Sequence, residues 1–199
     1  MIIKSLIHKA LEIPFVFDFQ QKFCQDYKDV KAEFADYILK DGLDILEVGC
    51  STGLLASVVF DMKKQNYTGI DIDKNYVDLA SQKYPDGKFL EMDARNMTFT
   101  KKFDIIMFNG AMHHLEDQII VACFGEAKKF LKEGGKILVS EPIFVRTKII
   151  STMLLKMDRG NYIRSEEGYE KFFTNFKIVR KRHFKFSIHR FVSYVLENN

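Results

Sequence analysis

The stretch Asp44-Ile-Leu-Glu-Val-Gly-Cys-Ser-Thr-Gly53 decides the fold of this chain. Residues Asp44 to Val48 form a short apolar run that ends at a glycine, which is typical of a buried strand in a parallel sheet. The small residues that follow allow a tight turn and a close approach of the backbone to a ligand. Residues 53–64 have a helical pattern, and a helix N-terminus offers unpaired amide donors and a partial positive charge. The stretch predicts a strand, a ligand-binding turn and a helix.

Short apolar runs and helical segments alternate along the following part of the chain. Further strands are expected at 67–72, 88–92, 103–109 and 136–140, and helices at 74–83 and 116–132, the second closed by Gly134-Gly135. Strands joined by helices form right-handed crossovers, so the sheet should be mostly parallel. Two last strands, at 176–184 and 188–196, have only a short connection and must pair antiparallel. The prediction is an α/β fold with a seven-stranded, mostly parallel sheet and a C-terminal antiparallel hairpin.

The length of 199 residues suits a single domain. Within it we expect an N-terminal helical cap over 1–40 and a helical insertion over 143–175 on the substrate side. The three cysteines have no metal-binding spacing, so no metal is expected, and they favour a reducing compartment. No run approaches the roughly 20 apolar residues that a membrane-spanning helix needs. We therefore expect a cytoplasmic protein with no transmembrane segment.

Three acidic residues stand at the ends of three successive predicted strands. Glu47 precedes the glycine turn, Asp71 ends the second strand and Asp93 ends the third. The turn lacks the GxGxxG spacing of dinucleotide-binding proteins, and an acid at position 47 would repel a pyrophosphate. Asp71 can accept hydrogen bonds from both hydroxyls of a ribose, and Asp93 from an adenine amino group. These charges favour a cationic nucleoside such as S-adenosylmethionine. A fourth acid, Asp73, has the position of a helix cap.

Five segments between Asp44 and Pro142, about half of the chain, carry a resemblance to a known family. ILEVGCSTG is similar to the glycine loop of the class I S-adenosylmethionine-dependent methyltransferases, YTGIDIDKNYVDLA to their ribose-binding segment and FLEMDARNM to their adenine-binding segment. FDIIMFNGAMHHLED and FLKEGGKILVSEP resemble their fourth and fifth strands with the flanking loops. The resemblance implies a three-layer Rossmann-like sandwich, S-adenosylmethionine as the cofactor and methyl transfer as the reaction.

The resemblance also implies which residues hold the cofactor. The turn after the first strand would hold the methionine half, the end of the second strand the ribose, and the end of the third strand the adenine. The candidate cofactor-binding residues are Glu47, Gly49, Cys50, Ser51, Gly53, Asp71, Ile72, Asp93, Ala94, Asn109 and Gly110. One departure concerns Ser51, where the family commonly has glycine. A side chain at this position narrows the loop and is expected to lower the cofactor affinity.

The candidate catalytic residues are His113, His114 and Glu141. A base is required only if the acceptor must lose a proton, and a histidine titrates near neutral pH. The alternative is that the histidines bind backbone groups or cap the following helix. Glu141 follows the fifth strand, and we expect it to face the same crevice and orient an acceptor hydroxyl.

The residues after the fourth strand restrict the acceptor. Methyltransferases that act on amino groups of bases or glutamine usually carry an Asn/Asp-Pro-Pro-aromatic segment there, whereas this chain has Asn109-Gly-Ala-Met112. A small molecule methylated at oxygen or carbon is therefore favoured. Arg159 and Arg164 could bind an anionic substrate, or they could belong to a solvated turn. Four phenylalanines could form a lid or pack the N-terminal helices: Phe15, Phe17, Phe19 and Phe23.

The C-terminal strands carry a run of basic residues without an acid: Lys177, Arg180, Lys181, Arg182, Lys185 and Arg190. Such a run could contact RNA, phospholipid or another protein, or it could protect an edge strand from unwanted pairing. The net charge of +3 gives a nucleic-acid partner little support. Three competing functions remain open from the sequence: a degenerate methyltransferase fold that serves as a binding or scaffold protein, an RNA-directed methyltransferase, and a nicotinamide oxidoreductase.

Overall fold

A computed structural model describes residues 27–143, 162–186 and 189–199. The strands are β1 (Asp44–Val48), β2 (Asn66–Asp71), β3 (Lys88–Glu91), β4 (Phe103–Asn109), β5 (Leu131–Ile143), β6 (Phe176–Phe186) and β7 (His189–Asn198). The helices are α1 (Lys28–Ile38), α2 (Leu54–Val59), α3 (Lys74–Lys83), α4 (Asp117–Phe130) and α5 (Glu166–Glu170), with short 3₁₀ turns at Met112–His114 and Lys171–Phe173. The expected phenylalanine lid, Arg159 and most of the substrate-side insertion lie outside the described residues.

All seven strands form one sheet in the order β3-β2-β1-β4-β5-β7-β6. The first five strands pair in parallel, and β7 pairs antiparallel with both β5 and β6. The prediction of a mostly parallel sheet with a C-terminal antiparallel hairpin is confirmed. The strand order reverses between β1 and β4, and ligands of open α/β sheets bind at the carboxyl ends of the strands at this point.

Two apolar clusters lie on opposite faces of the sheet and make a three-layer sandwich. On one face α1 and α2 pack through Val30, Phe34 and Leu55, together with Ile45 and Met107 of the sheet. On the other face α4, α5 and the turn after α5 pack against the sheet. Their buried apolar residues are Phe124, Ile120, Tyr169, Phe172 and Phe173. The central strands are buried on both faces, because helices cover them on both sides.

Two helices end earlier than their sequence patterns predict. The helix expected over 53–64 stops at Val59, because Phe60 is extended and the Asp61 carboxylate accepts a hydrogen bond from the Lys63 amide instead. The helix expected over 116–132 stops at Phe130. Leu131 is extended and pairs with Phe103, so β5 begins five residues before the predicted strand, with a register irregularity in between.

Candidate active site

The glycine loop after β1 has an unusual backbone. Gly49, Ser51 and Gly53 all have positive φ angles of 76°, 48° and 76°. Ser51 is the only such residue other than glycine among the described parts of the chain. The amides of Gly49 and Cys50 both bind the carbonyl of Ile70, at 2.8 and 3.0 Å, so the loop lies against the end of β2. This backbone leaves the start of α2 open toward the carboxyl edge of the sheet.

Asp71 joins the glycine loop to the end of β2. One oxygen of its carboxylate accepts a hydrogen bond from the Ser51 amide at 2.9 Å, and the other accepts from the Asp73 amide at 3.0 Å. Burial raises the pKa of Asp71 above its ordinary value in spite of these backbone donors. The Ile72 amide also interacts with this carboxylate, and because a carboxylate has about four acceptor positions, it retains capacity for a ligand. The predicted cap is confirmed, since Asp73 accepts from the Asn75 amide at 2.8 Å.

Glu47 lies beneath the loop, on the same face of the sheet as Asp71. Its side chain is 2% exposed, and the Tyr67 hydroxyl donates a hydrogen bond of 2.6 Å to its carboxyl group. The pKa of Glu47 is raised to about 8, mainly because a buried carboxylate loses its hydration. The nearby charge of Asp71 contributes to this increase. The sequence predicted a negatively charged Glu47 near the ligand, whereas the structure buries its carboxyl group under the loop against Tyr67.

Asp93 follows β3, and its carboxylate is occupied by a residue that was not among the predicted site residues. Arg95 binds Asp93 with its amide and its guanidinium, at distances from 2.5 to 3.0 Å. The side-chain hydrogen bonds from Arg95 hold the pKa of Asp93 below its ordinary value. Ile72 is 68% exposed beside the ribose-side acid, and Ala94 is half-buried. The Asp-x-Arg spacing could have indicated this ion pair.

The end of β4 comes close to the glycine loop. Asn109 accepts a hydrogen bond from the Ser140 hydroxyl, and the Gly110 amide donates to the Ser140 carbonyl at 2.8 Å. A Cβ atom on Gly49 would lie 3.3 Å from the Cβ of Ala111. The loops after β1 and β4 therefore meet at the point where the strand order reverses.

Glu141 holds the loop after β4 from below. Its carboxylate is fully buried and accepts hydrogen bonds from the backbone amides of Ala111, Met112 and His113, at 2.9, 2.8 and 3.2 Å. It also contacts Nδ1 of His113 at 2.8 Å. The expectation that Glu141 faces the crevice is wrong, because these four groups occupy its oxygens. His113 is also buried, whereas His114 is exposed and its ring lies 4.1 Å from that of His113.

Arg164 holds the same loop from the other side. Its guanidinium donates to the carbonyls of Met112 and Leu115 at 3.0 and 2.7 Å, and to the Asp117 carboxylate at 2.7 Å. The Tyr162 amide donates to the His113 carbonyl at 3.0 Å. The proposed role of Arg164 in binding an anionic substrate is therefore wrong, since the loop and Asp117 occupy the guanidinium. Arg164 thus links the segment that begins at Tyr162 to the loop after β4.

Comparison with known proteins agrees with this arrangement. A family profile described as a methyltransferase domain matches residues 45–135. The chain is 32% identical over 142 residues to a ribosomal protein L11 methyltransferase of Dictyoglomus thermophilum, covering 70% of this chain and 44% of the relative. It superposes on the crystal structure of an S-adenosylmethionine-dependent methyltransferase from Clostridium acetobutylicum with a TM-score of 0.71 and 15% identity, over 93% of this chain and 98% of the other. The chain thus carries a methyltransferase-domain match over residues 45–135, and its fold is that of a class I S-adenosylmethionine-dependent methyltransferase.

Other relatives of the chain differ in the acceptor that their names state. A demethylmenaquinone methyltransferase of Chlorobaculum tepidum is 29% identical over 112 residues, which cover 56% of this chain and 46% of the relative. The chain thus spans about half the length of these curated methyltransferases. No helix among the described residues is both long and apolar enough to cross a membrane.

The methyltransferase site thus contains some of the predicted residues in one place and separates others. Glu47, Asp71 and the glycine loop lie together, and the loop after β4 meets them through Ala111. Asp93 stands at the next strand end but is paired with Arg95. Tyr67 and Arg95 were not among the predicted site residues, and Arg164 was predicted in a different role; the partners of Tyr67 and Arg164 lie on other elements, whereas the partner of Arg95 is two residues away.

Proposed function

We propose that this protein transfers a methyl group from S-adenosylmethionine to a small-molecule acceptor, at oxygen or carbon. The observation that carries this proposal is the position of Asp71, whose carboxylate binds the glycine-loop amide of Ser51 and retains capacity to accept from a ligand. A ribose carries two adjacent hydroxyl groups that can donate to such a carboxylate. The methyltransferase-domain match supplies the identity of the nucleoside.

The residues present offer groups for the separate parts of S-adenosylmethionine. Asp71 would hold the ribose, the exposed Ile72 would lie against the adenine, and the loop from Gly49 to Gly53 would hold the methionine half. The Ser51 hydroxyl is buried and has no hydrogen-bond partner, so a polar ligand group could satisfy it. Asp93 would share its carboxylate between the adenine amino group and Arg95, because the Arg95 guanidinium already binds both Asp93 oxygens.

S-adenosylmethionine supplies a methyl group on a sulfonium, which is an activated leaving group. Positioning the acceptor against that group can then supply much of the rate, roughly 7–11 kcal/mol in favourable systems. Asn109 and Gly110 would form the wall next to the reacting atoms. His113 is the candidate base, with Glu141 as the residue that orients its ring through Nδ1, and exposed His114 is a second candidate.

The class of acceptor is inferred from the sequence of the loop after β4 and from the names of the relatives. The loop is Asn109-Gly-Ala-Met112 and lacks the Pro-Pro pair found in amino-directed enzymes of the family, which favours oxygen or carbon. A relative named for demethylmenaquinone supports a small acceptor, whereas the relative named for ribosomal protein L11 supports a protein acceptor as the competing proposal. A non-catalytic binding or scaffold protein and an RNA-directed methyltransferase also compete with a small-molecule enzyme.

Titration calorimetry with S-adenosylmethionine and with S-adenosylhomocysteine tests the cofactor proposal. Both ligands should bind, and NADH should not. A second experiment incubates the protein with [methyl-³H]S-adenosylmethionine and a cell extract separated into small molecules, protein and RNA. Tritium in the small-molecule fraction supports the proposal. Tritium only in protein or RNA contradicts the acceptor class, and absence of binding by both nucleosides contradicts the function itself.

A further inference from the structure

The carboxyl edge of the sheet has opposite charges in its two halves. Asp71 stands at the end of β2, in the half proposed for the cofactor, whereas Asp93 at the end of β3 is paired with Arg95. The other half contains the β6–β7 hairpin. Because β6 and β5 both pair antiparallel with β7, the end of β6 and the start of β7 lie at the same edge as the end of β5. Lys185 and Arg190 occupy these positions.

Lys185 and Arg190 lie directly opposite each other on neighbouring strands. Like charges in this arrangement are destabilising, because the side chains of opposed residues lie close together on one face. Both side chains are exposed, and neither forms an ion pair within residues 27–143, 162–186 and 189–199. By contrast, Arg180 and Lys181 in the same basic run are paired with Glu33 and Glu166. Among the described residues Arg182 and Lys177 also form no ion pair, but they lie opposite Ser193 and Glu197, so Lys185 and Arg190 are the members of the run that place like charges opposite each other.

The register places this pair at the same edge of the sheet as Asn109. Arg190 pairs with Ile143, the last residue of β5, and Asn109 pairs with Ser140 of the same strand. Arg190 therefore lies two strands across from Asn109 and three residues farther toward the edge, roughly 14 Å away at usual strand spacings. Its face of the sheet is the one that carries Glu141 and the loop with His113.

We propose that Lys185 and Arg190 bind an anionic group, a carboxylate or a phosphate, of the acceptor molecule. This inference rests on the proposed function and names the chemical class of its substrate. The anionic group binds at the hairpin, and the atom that receives the methyl group lies at the other end of the molecule, near Asn109. Arginine binds both oxoanions through paired N–H groups, and lysine adds a second positive charge.

A labelling experiment with three proteins tests the inference. The proteins are the wild type, the double variant Lys185→Ala/Arg190→Ala, and the control Lys63→Ala/Lys64→Ala, which removes two exposed lysines before β2 at the opposite edge. Each is incubated with [methyl-³H]S-adenosylmethionine and the small-molecule fraction of a cell extract, and products are separated on an anion exchanger. Treatment of the product with phosphatase then distinguishes a phosphate from a carboxylate.

The expected result is a tritiated product that the anion exchanger retains. At a low extract concentration the double variant should label it about tenfold more slowly, with recovery at a high concentration, while the control matches the wild type. Calorimetry should give all three proteins the same affinity for S-adenosylhomocysteine. A neutral product, or equal rates for the three proteins, overturns this inference and leaves the proposed function intact. No tritium in any fraction with the wild type overturns the proposed function, and this inference with it.

Tritium that ribonuclease releases, or that is recovered only with added vesicles of anionic phospholipid, also overturns the inference. In those cases the basic pair serves a nucleic acid or a membrane surface, and a small anionic acceptor is excluded.

Discussion

Glu141 and Arg164 bind the same loop through opposite polar groups. Glu141 accepts from three consecutive backbone amides at residues 111–113, and Arg164 donates to the carbonyls of Met112 and Leu115. The loop after β4 is therefore held by the buried carboxylate of Glu141 on one side and by the guanidinium of Arg164 on the other. Through Nδ1, Glu141 near the end of β5 also binds the ring of His113.

Replacement of Glu141 by glutamine should weaken this loop strongly. An amide has one acceptor oxygen in place of two charged ones, so some of the three backbone donors lose their partner, and we expect a loss of about 3 kcal/mol in the free energy of unfolding. Urea denaturation measures the loss, and hydrogen exchange should become faster at Ala111, Met112 and His113. Glu116→Gln makes the same chemical change at an exposed position and should leave both quantities nearly unchanged.

Removal of the Asp71 carboxylate should weaken nucleoside binding. Asp71→Ala takes away the acceptor for the ribose and for the Ser51 amide, which corresponds to about 1.5–3 kcal/mol for a charged hydrogen bond. Calorimetry with S-adenosylhomocysteine measures this difference. Asp78→Ala removes an exposed carboxylate on the neighbouring helix α3 and serves as the control. Equal affinities of the two variants would show that Asp71 does not contact the nucleoside.

The stability of the protein should depend on pH through Glu47. Burial raises the pKa of Glu47 in the folded protein to about 8, from an ordinary value of 4.5. The folded state thus binds a proton that the unfolded state releases above pH 4.5, so this contribution is complete below pH 4.5 and is lost as the pH rises to about 8. The free energy of unfolding should fall by up to about 1.4 kcal/mol per pH unit in this interval.

Urea denaturation of the wild type and of Glu47→Gln between pH 5 and 8 checks this pH dependence. The glutamine has no proton to release, so its curve should be the flatter one. Tyr67→Phe removes a hydrogen bond that lowers the pKa of Glu47, and the decline with pH should then extend to higher pH. If the free energy of unfolding fell equally steeply with pH in the wild type and in Glu47→Gln, groups other than Glu47 would cause the pH dependence.

Replacement of Ser51 by glycine should stabilise the protein. Ser51 has a φ angle of 48° and a buried hydroxyl without a partner, and both features cost free energy in the folded state. Glycine removes them but adds backbone freedom to the unfolded chain, so we expect a net gain of about 1 kcal/mol. Urea denaturation measures it, and Ser57→Gly, at a position in helix α2, should instead destabilise.

The same substitution separates two effects of Ser51 on the cofactor. The sequence predicts that the side chain narrows the loop and lowers affinity, in which case Ser51→Gly should bind S-adenosylhomocysteine more tightly. If the Ser51 hydroxyl instead forms a hydrogen bond with the ligand, Ser51→Gly should bind S-adenosylhomocysteine more weakly. Calorimetry on the two proteins decides between these outcomes.

The sequence by itself determined the strands of the sheet and which of them run parallel or antiparallel. Apolar runs joined by helices leave few topologies, since parallel crossovers have one hand and a short final connection requires antiparallel pairing. It also determined that Asp71 ends β2 and that Asp73 caps α3, because both depend on neighbours close in the chain. Local chemistry is encoded in local residues.

Only the tertiary structure decided which polar groups meet. Glu141 lies 28 residues from His113 and Arg164 lies 52 from Met112, so no spacing in the sequence indicates their contacts. Glu47 has the same charge in the sequence whether it faces the cleft or the core, and the direction is set by the pleat of β1 and by Tyr67 on β2. Burial and partners across the sheet decide the charge of a carboxyl group, and both exist only after the chain has folded.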